Sequence, residues 1–329
     1  MEYLGHLPDH DPLYDYLCRE VMPQLGGYGG AGFRVFSCCS SHAVYVYEDR
    51  GSGRKVVGKF FAANGCDFDR AKKLMYRERD NIRKFRSLLG KSHYAARELG
   101  CCEKLNCLLV TEYCYGEALD SIILRAINHG DDGILFDKLT ALGDLLATVH
   151  NHSARPVKVD FQRICRYFDT IVTQLESISD RGERDYLHSL CNKFRRDPFM
   201  YLDQEVSVHG DATPANFFFG DGHYVITFDL ERMQRSDRLF DVGRIAGELQ
   251  HFFLFHTRNK YRAEPFIGHF VWEYCTHFPD RERAFASVTG RLPFYMGLTL
   301  LRIARNDYLP PDYRRKLIGE AKLTLCKRS

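Results

Sequence analysis

The stretch Val206–Glu231, VSVHGDATPANFFFGDGHYVITFDLE, decides how the rest of the chain is read. Asp211 follows His209-Gly210 and stands five residues before Asn216. Phe217-Phe218-Phe219 reads as a short apolar strand, Gly220-Asp221-Gly222 as a turn, and Tyr224 to Phe228 as a returning strand. A hairpin brings its open ends together. Asn216 and Asp229 are therefore expected side by side, with Asp211 in the loop before the first strand. Side-chain oxygens converging at one rim suit a hard, phosphate-bearing cation such as Mg²⁺.

The order His-Gly-Asp, four residues, Asn, hairpin, Asp-Leu-Glu resembles the aminoglycoside phosphotransferase and choline kinase family of small-molecule kinases. Protein kinases carry a related loop with Arg in place of Gly210 and Phe-Gly after the metal-binding Asp. Leu230-Glu231 stands here instead. The resemblance implies an α+β, protein-kinase-like fold of two lobes. A small N-terminal lobe of antiparallel sheet and one helix would precede a larger, mainly helical C-terminal lobe. It further implies that Asp211 accepts the proton of an attacking hydroxyl, while Asn216 and Asp229 hold Mg²⁺ against the phosphates of ATP. GTP remains open as an alternative donor.

Working back from that stretch, residues 33–114 read as the nucleotide-binding lobe. Phe33 to Cys39, Ala43 to Glu48 and Lys55 to Ala62 are β-branched and aromatic, separated by turn residues. By resemblance, the loop Cys39 to His42 would cover the phosphates, with backbone N–H groups and the hydroxyls of Ser40 and Ser41 in place of glycines. Lys59, in the third strand, matches the family lysine that holds the α/β-phosphates. A lysine on an apolar strand otherwise marks an edge or an outward face. Asp67 to Leu89 reads as a charged helix, and Glu78 within it would orient Lys59 through an ion pair. Leu105 to Tyr113 reads as a strand leading to the inter-lobe linker, where the backbones of Glu112 and Cys114 would meet the adenine edge.

Residues 1–32 form an N-terminal extension with no family role, containing a short helix from Pro12 to Met22. Its Gly27-Tyr28-Gly29-Gly30-Ala31-Gly32 spells a literal G-x-G-x-x-G. A dinucleotide fingerprint follows a strand and opens a helix, whereas this run follows a helix and precedes strands, so that reading fails.

Residues 115–329 read as the helical lobe. Phe136 to His152 has Leu139, Leu142, Leu145, Leu146 and Val149 at helical spacing, and His150 reads as a satisfied structural histidine. Asp241 has two readings, a brace for the His-Gly-Asp loop or a helix N-terminal charge. No long activation segment and no Ala-Pro-Glu follow Asp229, which argues for a small acceptor over a peptide. From residue 251 onward there are 14 Lys/Arg against 7 Asp/Glu. That surplus disfavours a polycationic acceptor and suits a neutral or anionic hydroxyl compound.

The 329 residues, 45% hydrophobic and 27% charged, are those of an ordinary globular protein. A net charge of +3 points to neither nucleic acid nor a membrane surface. The opening MEYLGHLPDHDPLYDYL lacks the basic and apolar regions of a signal peptide, and the 12 cysteines include no C-x-x-C pair. A cytoplasmic protein with reduced thiols is expected. The functional expectation is an ATP- and Mg²⁺-dependent phosphotransferase acting on a small hydroxylated metabolite. Its rivals are an atypical protein kinase and a non-catalytic, kinase-shaped nucleotide-binding protein.

Overall fold

Alternation of apolar and polar residues, broken by Gly-rich turns, builds the N-terminal part of the molecule, up to Glu112, mainly as sheet. The computed structural model describes residues 1–27, 30–38, 43–63, 65 and 67–326. Ser40 and Ser41 lie outside the described residues. The chain divides into two units, the first made of Met1–Ser87, Tyr94–Gly116 and Ile226–Glu231, the second of Leu88–His93, Glu117–Val225 and Arg232–Ser329.

In the first unit, β1 (Glu2–His6) is followed by helix α1 (Pro12–Tyr16), β2 (Phe33–Ser37), β3 (Ala43–Asp49), β4 (Lys55–Phe60) and helix α2 (Phe68–Leu88). Then come β5 (Tyr94–Ala95), β6 (Glu98–Cys102) and β7 (Leu108–Glu112). Among the described residues six of these strands form one antiparallel sheet, in the order β1-β2-β3-β4-β7-β6. The expected three-strand meander is present. The first six residues add a strand to its edge, where no role had been read for them. Asp11 caps α1 by accepting from the Leu13 N–H at 2.8 Å, and Pro12 occupies the first turn, where its missing N–H costs nothing. The chain continues through a wide turn at Leu17–Val21 and a 3₁₀ turn at Met22–Leu25, ended by Gly26 at φ +68°. Leu13, Leu17, Val21 and Met22 bury against Phe33, Tyr47, Val56 and Val110 of the sheet. Of the 1–32 stretch, the described residues 1–27 belong to the same unit as this sheet.

The second unit is helical. It contains β8 (Glu117–Ala118), α3 (Leu119–His129), α4 (Asp132–Ser153), α5 (Phe161–Thr173) and α6 (Arg181–Arg195). After these come β9 (Val206–Val208) and β10 (Phe217–Phe219), with β11 (Val225–Thr227) passing back into the first unit. β12 (Gln234–Ser236), α7 (Leu239–Thr257), α8 (Glu264–Thr276), α9 (Arg281–Ala304) and α10 (Pro311–Cys326) complete it. β9 and β12 pair antiparallel, as do β8 and β10. Helix α7 is buried nearly all round along its first twelve residues, Leu239 to Gln250, and packs against α8 and α9. Close approach to α9 depends on two glycines. A Cβ on Gly243 would lie 2.2 Å from the Tyr295 Cβ, and one on Gly247 2.6 Å from the Thr299 Cβ.

The core of this unit also holds charge. Arg291 of α9, fully buried, donates to Asp237 at 2.6 Å and to Asp203 at 2.6 Å. The Tyr295 hydroxyl donates to the same Asp237 oxygen at 2.9 Å, and Arg238 Nε to Asp203 at 3.0 Å. No helix among the described residues is long and apolar enough to cross a membrane.

Candidate active site

In the first unit the site is built around a lysine. Lys59 lies on β4, between β3 and β7, where its strand partners are Val44 and Leu109. It is therefore on a central strand, not the edge position a strand lysine usually takes. Val56 and Gly58 point into the core, so strand alternation turns Lys59 to the opposite face. There its Nζ lies 2.9 Å from Glu78 Oε2, 2.9 Å from Asp229 Oδ1 and 2.9 Å from Glu231 Oε2. Its ammonium also sits 5.2 Å from the Phe61 ring centroid.

Glu78 reaches the lysine from the buried face of α2. Asp229 and Glu231 come from the short segment after β11, which Ala96 N ties at Thr227 O (2.9 Å) and Asn81 Nδ2 at Leu230 O (2.8 Å). Asp229 adopts φ +59°, a left-handed conformation that Asp tolerates better than most residues. Asp and Glu two apart on such a bend turn both carboxylates to the same ammonium.

Burial lowers the Lys59 pKa, but Glu78, Asp229 and Glu231 outweigh burial and raise it overall. Glu78 goes the other way from a surface carboxyl. Burial pushes it up to about 7, against the pull of Lys59. Three carboxylates thus crowd one ammonium. Their ligand oxygens lie within 4.8 Å of one another, a hard-donor set that fits a dication such as Mg²⁺. Asp229 of the expected metal pair belongs to this set, joined by Glu78 and Glu231, which had not been assigned to metal. At the end of β7, the Glu112 N–H donates to Arg97 O at 2.9 Å, and its carboxylate accepts from Arg97 and from the Tyr94 hydroxyl. Glu112 thus spends its N–H inside this unit. Cys114 is half-buried, its thiol pushed up to about 12 by burial and by Glu112.

In the second unit β9 delivers the His209-Gly210-Asp211 loop. Asp241, near the start of α7, accepts from the backbone N–H of His209 at 2.6 Å and of Gly210 at 3.0 Å. His150 Nε2 lies 3.3 Å from the same carboxylate, and its Nδ1 is 2.9 Å from the Tyr274 hydroxyl. Burial lowers the His150 pKa against the influence of Asp241. Asp241 is therefore a brace for the loop, and His150 a satisfied structural residue. Gly210 sits at φ +84°, and a Cβ there would stand 2.0 Å from Arg232 O. No side chain fits.

Asn216 ends a 3₁₀ turn, Pro214–Asn216, and its Nδ2 donates to the Asp211 carbonyl at 2.9 Å. The Asp211 carboxylate is ringed by arginines. Arg302 Nη2 lies at 2.9 Å, Arg232 Nη1 at 3.6 Å and Arg244 Nη2 at 3.7 Å. Burial raises its pKa, but Arg244, Arg302 and Arg232 more than offset this and hold it below the usual value. No sequence motif singled out these arginines. They stand between 21 and 91 residues from Asp211, and for Arg244 and Arg302 only the packing of α7 and α9 brings them in.

No curated protein matches the chain in sequence. Solved structures share its fold. One is an amicoumacin kinase complexed with AMP-PNP, Ca²⁺ and Ami, 14% identical at a TM-score of 0.60, with 94% of this chain and 90% of that one covered. An ethanolamine kinase of Plasmodium vivax is 12% identical at 0.56, covering 89% and 80%. A choline kinase of Streptococcus pneumoniae is 16% identical at 0.53, covering 88% and 93%. The sequence pattern of the phosphotransferase enzyme family matches residues 40–274, well over half of the chain. The chain therefore belongs to the phosphotransferase enzyme family, and its fold is the protein-kinase-like α+β fold of these small-molecule kinases.

Proposed function

We propose that the protein transfers the γ-phosphate of ATP to a hydroxyl of a small metabolite. The observation that carries this reading is the Lys59 ammonium, held at 2.9 Å by both Glu78 and Asp229 on a central strand. A lysine so placed can meet the α/β-phosphates, with Glu78 fixing its direction. Asp229 and Asn216 would hold Mg²⁺, with Glu231 as a further oxygen donor. Mg²⁺, when bound, would neutralise charge on the phosphate oxygens. Asp211, held ionised by its arginines, would accept the proton of the acceptor hydroxyl. The hydroxyl oxygen forms the new bond to phosphorus, the bond to the bridging oxygen breaks, and ADP leaves. Positioning and electrostatics carry most of the rate in such chemistry. The solved neighbours act on, or are complexed with, small molecules, which supports a small acceptor here.

The test is a thermal-shift titration with ATP, GTP and ADP, each with and without Mg²⁺, followed by transfer assays. A Mg²⁺-dependent rise in Tm with a triphosphate is expected, and it names the donor. Asp211→Asn should keep that shift while kcat falls about 10²- to 10⁴-fold. No shift with any nucleotide would leave a binding protein of another kind. An Asp211→Asn enzyme of wild-type rate would remove Asp211 from the reaction.

A further inference from the structure

The ring of guanidinium groups around Asp211 exceeds what one carboxylate calls for. Arg302 on α9 alone pairs with it at 2.9 Å. Arg244 on α7 and Arg232 stand behind at 3.7 and 3.6 Å, and Arg305 is close enough for its charge to act on Arg302 and Asp211 in turn. The other acid present is Glu248, whose Oε1 is 3.2 Å from Arg244 Nε. Arg244 and Arg302 thus share the Asp211 carboxylate, and Arg244 also faces Glu248. Burial drives the Glu248 pKa upward against the pull of Arg244 and Arg302.

The donors are also underused. Among the described residues, Arg244 Nη1 and Arg302 Nε are buried without a hydrogen-bond acceptor, and Arg244 Nε is off line for bonding to Glu248. A buried N–H left unpaired costs stability, and more so on a charged group. Such a cost persists where a ligand recovers it. Exposure falls from 47% at the Arg232 side chain to 10% at Arg244 and 5% at Arg302, so the charge is graded from surface to interior. Tyr167 closes one side, its ring centroid 5.8 Å from the Arg302 guanidinium.

We propose that the acceptor is an oxyanion-bearing alcohol, a hydroxy acid or a phosphorylated polyol, whose anionic group is read by Arg244, Arg302 and Arg232 beside Asp211. The inference rests on the phosphotransferase reading and deepens it. The planar fork of an arginine matches a carboxylate or phosphate in two parallel bonds. An anion placed on Arg244 and Arg302 leaves its neighbouring hydroxyl within reach of the Asp211 carboxylate. A cationic alcohol meets like charge from the same arginines instead.

The test is calorimetric titration of inorganic phosphate into the full chain saturated with Mg²⁺ and AMP-PNP, which keeps phosphate off the nucleotide site. Glycerate, glycerol 3-phosphate, glycerol and ethanolamine follow as matched probes. Phosphate is expected to bind in the millimolar range or tighter, and at least about tenfold more weakly to Arg302→Met and Arg244→Met. AMP-PNP affinity should stay within about twofold of wild type, since neither arginine belongs to the unit that contains Lys59. Glycerate against glycerol 3-phosphate tells carboxylate from phosphate. Should Arg302→Met fail to fold, Arg302→Lys keeps the charge, loses the fork and is expected to show the same weakening. Undetectable phosphate binding, binding unchanged in these variants, or ethanolamine or glycerol binding more tightly than both anions overturns the proposal. Failure of AMP-PNP to bind would sink the phosphotransferase reading instead, and the phosphate titration can still be run on the chain alone.

Discussion

Asp241 accepts two consecutive backbone N–H groups and faces an imidazole whose pKa burial lowers. Asp241→Asn turns one of its oxygens into an amide that repels those donors. It should destabilise the fold by about 3 kcal/mol and lower kcat, measured by chemical denaturation and by transfer assays on the folded fraction. If stability falls and kcat on that fraction does not, the brace is structural only. Much at this scale was readable through the family resemblance. Lys59 and Glu78 were paired on family resemblance, and the structure has them 2.9 Å apart. Brace or helix charge could not be decided for Asp241, because both readings place an acid at the same residue. Glu231 was quoted within its motif without a partner, since the bend at Asp229 that turns it inward is a backbone property. The arginines of Asp211 were illegible, as helix periodicity does not tell which faces of α7 and α9 meet.

Strands and helices followed the sequence pattern closely. The expected strand Lys55 to Ala62 is Lys55–Phe60, the helix Asp67 to Leu89 is Phe68–Leu88, and the helix Phe136 to His152 starts earlier, at Asp132. A lone apolar stripe sets such lengths well. The pairing of β1 was missed because Glu2–His6 is mostly exposed and carries no buried alternation. Between elements, Gly243 and Gly247 one turn apart let α7 and α9 approach until Arg244 and Arg302 both reach Asp211. Gly243→Ala must push the Tyr295 backbone away. The expected loss is about 3 kcal/mol of stability, read by denaturant midpoint, with transfer activity falling more than nucleotide affinity. Gly268→Ala, with nothing within 4 Å of its added Cβ, serves as the control and should be neutral or mildly stabilising. Equal losses in the two variants would deny the close approach its importance.

The division into a sheet-rich part and a helical part, and the family that goes with it, were visible in the sequence as a whole, because a hairpin with fixed polar residues is specific where composition is not. Acid stability was not visible there. His251, on α7, hydrogen-bonds the Tyr313 hydroxyl of α10 at 2.8 Å, and burial, with His256 and Arg244, pushes it from 6.5 down to about 4. The unfolded chain takes up a proton there that the folded chain refuses. Stability present above pH 6.5 is therefore lost as the pH falls toward 4, by about 3 kcal/mol for this group. Denaturant titrations from pH 7.5 to 4 should show the decline, and His251→Gln should flatten part of it. A slope unchanged by that substitution would assign the acid sensitivity to other groups. The buried Arg291 has a consequence for redesign. It ties α9 to Asp203 and Asp237, carboxylates contributed 88 and 54 residues earlier in the chain, all within the second unit. Replacing the C-terminal helices with those of a relative would strand two acids in an apolar interior unless the graft brings its own cation to the same spot. These helices cannot be exchanged as a cassette; they are soldered to the frame that holds them.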